Sequence, residues 1–163
     1  LEAQKAALRW QLELAAELDL PVTIHCLQAF GSLLELLDEV GRLPRGFLLH
    51  SYSGPDEMLE PFLERGAFFS ISGYFAHERK HAQRAVFRKI PIERILVETD
   101  APDMRGPQEL NPFQIDGDGS MTLNHPANLR AIYHFAADLF ERDFEAFNAQ
   151  ITQNFRSFFG TSA

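Results

Sequence analysis

Short, mostly apolar runs alternate along this chain with longer stretches of helical period. Residues 2 to about 19 set Ala7, Leu8, Leu12, Ala15 and Ala16 at three- and four-residue spacing, the stripe of an amphipathic helix. Pro21 ends that pattern, and Val22-Thr23-Ile24-His25 follows as a β-branched run suited to a strand. The unit then repeats. A helix is predicted over 30–40 with Gly41 as its stop, a strand over 46–50, a helix over 55–64 closed by Gly66, and a strand over 67–72. A basic helix over 78–88 and a strand over 94–98 complete the series. Residues 101–124 break the pattern with Pro102, Gly106, Pro107, Pro112, Gly117 and Gly119 and read as one long loop, a length that compact domains reserve for function or disorder. Helices over 126–140 and 143–159 close the chain.

Strands that are apolar throughout, each followed by a helix, predict a parallel sheet covered by helices. Four such strands fit either a small doubly wound domain or half of an eight-stranded barrel, and the order of elements does not choose between them. At 163 residues and 45% hydrophobic content the chain is expected to form a single domain over 1–163 with its own core. No apolar run is long enough to span a bilayer, and the first ten residues carry Glu2, Lys5 and Arg9, so a cytoplasmic protein with no membrane partner is expected. The chain opens on Leu1 inside a helical pattern, which leads us to expect a piece of a longer protein.

The chemistry-bearing residues fall at the ends of the strands. The first strand ends in His25, the second in His50, and the fourth leads through Glu98-Thr99 into Asp100. In a parallel α/β fold the carboxyl ends of all strands lie on one face, so these side chains should converge. Two imidazoles and a carboxylate suit zinc, manganese or iron better than calcium. A metal there would acidify a bound water, and a nearby carboxylate such as Asp100 could take its proton. The third strand ends in Ser72-Gly73, where a missing side chain would let a ligand approach the backbone. The alternative for each histidine is a hydrogen-bonded residue with no ligand. The formal net charge of −8 argues against a basic groove for duplex DNA, but not against a nuclease that holds phosphates through bound cations.

Several stretches resemble the TatD-type deoxyribonuclease family. Pro21-Val22-Thr23-Ile24-His25 is similar to its P-V-x-x-H strand, His50-Ser51-Tyr52-Ser53-Gly54 to its H-x-F/Y-x-G strand end, and Ser70-Ile71-Ser72-Gly73 to its S-x-S-G segment. Glu98-Thr99-Asp100-Ala101-Pro102 matches its E-T-D-x-P motif, Asn124-His125-Pro126-Ala127 resembles N-E-P-A, and Asn154, Phe155, Phe158 and Phe159 resemble its N…F-F ending. The matches run in order over nearly the whole chain. The resemblance implies the C-terminal half of a (β/α)8 TIM-type barrel, with four parallel strands and covering helices. It implies phosphodiester hydrolysis, of DNA foremost, by a site that holds two divalent ions (Zn, Mn or Mg) when complete. It makes His25 and His50 metal ligands, Asp100 both a metal ligand and the partner of the attacking water, and Ser72, Gly73 and His125 substrate-binding positions.

Departures from that pattern are specific. The family's opening H-x-H strand and its metal-bridging Glu have no counterpart among these residues, which implies impaired activity for this chain alone. The Arg and acidic residue that often follow the fifth-strand His are Leu27 and Gln28 here, and the Glu of N-E-P is His125. The half-barrel reading also implies self-association or pairing with the missing N-terminal half. Rival readings are an amidohydrolase-type barrel acting on a small amide or lactone, and a non-catalytic half-barrel. His77-Glu78-Arg79-Lys80-His81 matches H-E-x-x-H, the zinc-protease signature, yet Arg79, Lys80 and Arg84 make a solvated basic helix the better expectation. Cys26, the one cysteine, is expected to be a buried strand-end residue.

Overall fold

The computed structural model describes residues 2–118 and 122–160. Four strands, β1 (Val22–Ile24), β2 (Phe47–Leu49), β3 (Ala67–Ser72) and β4 (Ile95–Glu98), form one parallel sheet in the order β1-β2-β3-β4. The register runs Val22–Phe47–Ala67 across the first three strands and Ser70–Leu96 and Ser72–Glu98 across the last two. Helices α1 (Glu2–Glu17), α2 (Phe30–Val40), α3 (Leu59–Glu64), α4 (His81–Phe87), α5 (Leu129–Leu139) and α6 (Phe144–Phe159) alternate with and follow the strands. Every residue of β2 and β3 is buried, which explains why neither strand carries a charged side chain and why β3 is interrupted only by the small Ser70 and Ser72.

The two faces of the sheet have different contents, set by the period-2 alternation of a strand. Ile24, Phe47, Leu49, Phe69, Ile71 and Ile95 enter the main core beneath the helices, together with Leu33, Leu36 and Leu37 of α2 and Ala136 of α5. The opposite face carries Leu48, Phe68 and Leu96, which form a small second cluster closed by the fully buried Phe158 of α6. Two residues further along, that face turns polar with His50, Ser70 and Glu98, and two beyond Ser70 with Ser72. The candidate site therefore rests on an apolar plug.

Chain termini of the helices follow local chemistry. Asp143 caps α6, its Oδ1 accepting from the backbone N–H of Glu145 at 3.0 Å and Ala146 at 3.1 Å, and Gly160 ends it in the left-handed region. Asn154, nearly fully buried on α6, donates through Nδ2 to the carbonyls of Ile92 and Ile95 at 2.7 and 2.8 Å, tying the last helix to the start of β4.

Two expectations change. The stretch 101–124 is not all loop: β5 (Gln114–Asp116) and β6 (Thr122–Asn124) pair as an antiparallel hairpin. Gly119 lies outside the described residues. The predicted basic helix over 78–88 is split into a 3-10 turn, Glu78–Lys80, and the shorter α4. That split also disposes of the protease signature. His77 precedes the turn and bonds through Nε2 to the Arg105 carbonyl at 2.9 Å, so the two histidines are not set one helical turn apart on a single face.

Candidate functional site

The parallel register carries the strand ends to one edge, and the sequence-predicted residues meet there. His25 follows β1 and is exposed, and His50 follows β2 and is half-buried. Their rings lie 4.2 Å apart between centroids, tilted by 54°. The His50 backbone N–H donates to the Ile24 carbonyl at 3.0 Å, extending the β1–β2 ladder by one residue and fixing the two imidazoles side by side.

The His50 ring is gripped from both sides. Its Nδ1 lies 2.8 Å from Glu98 Oε2 and its Nε2 lies 3.1 Å from Asp100 Oδ1. Glu98 is held in turn by the Ser51 hydroxyl, which donates to Oε1 at 2.7 Å, and the Ser51 N–H donates to Ser70 Oγ at 2.9 Å. Ser51 and Asp100 both adopt left-handed backbone, φ +44° and +59°, unusual for residues with a side chain and frequent where a turn must aim a functional group. Asn124 stabilises the Asp100 turn by donating through Nδ2 to the carbonyls of Thr99 at 2.7 Å and Asp103 at 3.0 Å.

Electrostatics follow from these contacts. The hydrogen bond to Glu98 holds the His50 pKa above its ordinary value against the opposing effect of burial, with the Glu98 and Asp100 charges adding to it. Burial pushes the Glu98 carboxyl up, but the hydrogen bonds from His50 and Ser51 together with the His50 charge outweigh it and leave the group below its usual range. Cys26, expected to be buried, is half-buried just past β1, and that burial raises its thiol pKa against the opposing backbone hydrogen bond at Ala29.

Do these residues fit a divalent ion? A metal-binding histidine commonly donates its other ring N–H to a carboxylate, which fixes the tautomer. Glu98 occupies that position on Nδ1, leaving a lone pair on Nε2 that faces the Asp100 carboxylate, acceptor to acceptor, across 3.1 Å. Only a shared proton or a cation makes such a pair favourable. Ser72 Oγ is fully buried on the same face with no hydrogen-bond partner, an orphaned donor beside Glu98 in the register. The donor types therefore fit. Among the described residues, however, no three His, Cys, Asp or Glu side chains gather around one metal position.

The other sequence-predicted positions are placed as follows. Gly73 follows Ser72, and a Cβ there would stand 3.2 and 3.3 Å from Ile132 of α5, so helix packing takes up the space that the sequence suggested for a ligand. His125 accepts at Nδ1 from the Ala127 N–H at 3.0 Å, capping the turn before α5, and its ring leans on Phe113. Leu27 is exposed, and Gln28 has left-handed backbone, φ +54°. Sequence reasoning missed the Ser51–Glu98 and Ser51–Ser70 bonds. The signal for them was the period-2 placement of Ser70 and Ser72 on the site face.

The sequence profile described as TatD related DNase matches residues 1–160. The 3'-5' ssDNA/RNA exonuclease TatD of Klebsiella pneumoniae is 35% identical over 161 residues, 98% of this chain and 59% of that protein. The protein of the same name from Escherichia fergusonii is 33% identical over 163 residues, 99% of this chain and 60% of its own length. The chain thus spans about three-fifths of the length of these relatives. Among solved structures, a TatD homolog from Escherichia coli superposes with a TM-score of 0.83 at 26% identity, covering 99% of this chain and 58% of that one. A TatD family hydrolase from Entamoeba histolytica shares the fold alone, with a TM-score of 0.77 at 20% identity over 97% of this chain and 57% of that one. The four parallel strands with their helices correspond to part of a TIM-type barrel, open here at both edges. With this match over nearly its full length, the chain belongs to the TatD-related DNase family.

Proposed function

We propose that this protein is a divalent-metal-dependent hydrolase of phosphodiester bonds, acting on nucleic acid and foremost on single-stranded DNA. The observation that carries the proposal is the His50 ring held between Glu98 and Asp100 at the strand ends, with His25 beside it. The relatives' name, a single-stranded DNA and RNA exonuclease, supports the substrate class.

His25, His50 and Asp100 would hold the metal, which is zinc, manganese or magnesium, with a second ion in a complete site. Such an ion supplies charge to offset the phosphate and lowers the pKa of a water bound to it. The protein's own contribution is orientation. Glu98 accepts the Nδ1–H of His50 and so commits Nε2 to the ligand side, and Ser51 keeps Glu98 in place. Asp100 positions the attacking water and accepts its proton. The remaining nitrogen of His125 offers a hydrogen bond to a substrate oxygen, while the buried Ser72 and Gly73 support the site from behind. Activity of these residues alone is expected to be weak, because the ligand count on this chain falls short of a two-ion site.

The test is hydrolysis of a labelled single-stranded oligonucleotide with Mn²⁺, Zn²⁺ or Mg²⁺, with EDTA and Asp100→Asn as controls. Loss of a positioned proton acceptor should slow the reaction on the order of a hundredfold or more. Cleavage that persists in EDTA, or hydrolysis of small amides in place of the oligonucleotide, would overturn this reading.

A further inference from the structure

Immediately beyond the end of β3 the chain builds a cluster that the hydrolytic site does not use. Tyr74 lies two residues past Ser72, in the 3-10 turn Gly73–Ala76. Two cations lie over its ring, the Arg79 guanidinium 5.0 Å and the Lys80 ammonium 4.8 Å from the ring centre. Neither has a carboxylate within ion-pair distance among the described residues. The one acidic residue between Glu64 and Glu93 is Glu78, and it faces Arg84 at 3.8 Å. In a chain of net charge −8, two adjacent cations held together with no counter-ion are an uncompensated positive charge. The Tyr74 hydroxyl adds a third donor that is hydrogen-bonded to no acceptor among the described residues.

This cluster is rigidly mounted. Arg84 Nη1 donates to the carbonyls of Phe75 at 2.9 Å and His77 at 2.7 Å, closing the turn that carries Tyr74. His77 packs edge-on against the Tyr74 ring at 5.5 Å and anchors through Nε2 to the Arg105 carbonyl. Gly106, the next residue, lies directly against Gly73, where a Cβ would stand 2.6 Å from the Gly73 carbonyl oxygen. Arg105 itself has a buried Nε with no partner. The anchoring runs into the segment that begins at Asp100, and Ser72 pairs in register with Glu98, so the cluster borders the candidate site at its β3–β4 side.

We propose that Tyr74, Arg79 and Lys80 form a phosphate-binding subsite that holds the backbone of a single nucleic-acid strand next to the hydrolytic site. It rests on the nuclease reading and names where the strand is gripped. A ring flanked by cations and followed by a short basic turn suits a single strand, whose exposed phosphates and bases reach a small patch that a stiff duplex would bridge over. It also supplies cations on a chain whose Leu27 and Gln28 leave the β1 side of the site without one.

The experiment is fluorescence anisotropy of a labelled single-stranded oligonucleotide in EDTA, across a series of salt concentrations. The wild-type chain is compared with the double variant Arg79→Gln/Lys80→Gln, with Tyr74→Phe, and with Arg42→Gln as a control at the opposite end of the sheet. Each phosphate neutralised adds about 0.7 to the slope of log affinity against log salt on single strands, so the double variant should lower the slope by about 1.4. Its affinity at low salt should fall at least tenfold, Tyr74→Phe should weaken binding severalfold, and Arg42→Gln should match wild type. Circular dichroism melts confirm that each variant is folded, which the exposure of Arg79 makes the expected result. Unchanged slope and affinity in the double variant overturn the subsite. If the oligonucleotide is still cleaved in an Asp100-dependent way in that case, the nuclease reading stands and only the subsite falls. If wild type neither binds nor cleaves it, both fall.

Discussion

His50 shows how much one residue's surroundings decide. Its ring nitrogens contact Glu98 and Asp100, so the protonated ring is stabilised in the folded, metal-free chain. A raised histidine pKa contributes stability that is fully present below its ordinary value of 6.5 and is lost as pH rises through the raised value. The depressed Glu98 pKa contributes stability that is present above its ordinary value of 4.5 and is lost as pH falls through the lowered one. Denaturant melts in EDTA should therefore show their His50-dependent contribution largest between these two values and declining on the alkaline side, and His50→Gln should remove that decline. An alkaline limb identical in wild type and variant would contradict the ion-pair account. Ser51→Ala should cost about 1.5–3 kcal/mol, since it strips a hydrogen bond from a half-buried carboxylate. Urea midpoints would measure it.

At the scale of elements, two tight features carry the sheet. Gly46, just before β2, has φ +69°, and a Cβ there would sit 2.1 Å from the Gly66 carbonyl oxygen, just before β3. Gly46→Ala should cost several kcal/mol, because backbone strain and a backbone clash add and neither strand can move without losing register. Asn154→Ala would remove its two bonds to the carbonyls of Ile92 and Ile95 near the start of β4, while the Ile92 carbonyl keeps the Ile95 N–H, at about 1–3 kcal/mol for the two lost bonds. Both are read as shifts of the thermal midpoint. The strands and most helices were legible in the sequence because hydrophobic period reports burial directly: α2 and β3 match their expected spans at both ends. The β5–β6 hairpin was missed although Gly117-Asp118-Gly119 follows β5 in the sequence, a turn signal that was masked by the prolines around it. The basic helix was overextended because charge pattern does not distinguish a 3-10 turn from the first turn of an α-helix. The convergence of His25, His50 and Asp100 was legible because strand ends of a parallel sheet must meet on one edge. The Glu98 grip on His50 was not, since it depends on register between strands and on the left-handed turn at Ser51.

The whole molecule presents a sheet open at β1 and at β4. Trp10, Leu18, Leu20 and Leu27, on α1 and on the segments flanking β1, are all substantially exposed. Unpaired strand edges beside exposed apolar side chains favour association between chains. Light scattering across a concentration series should show self-association, and a strictly monomeric chain at high concentration would contradict this. No helix among the described residues is long and apolar enough to cross a membrane. The proposed hydrolase depends on His25, His50 and Asp100 holding a divalent ion. Its most direct test is calorimetric titration of Zn²⁺ or Mn²⁺ into the metal-free chain at several pH values. Binding is expected to tighten as pH rises through the raised pKa of His50, because the ion and the proton compete for Nε2, and to weaken at least tenfold in both His50→Ala and Asp100→Asn. Binding that is absent, independent of pH, or unchanged in both variants would contradict it.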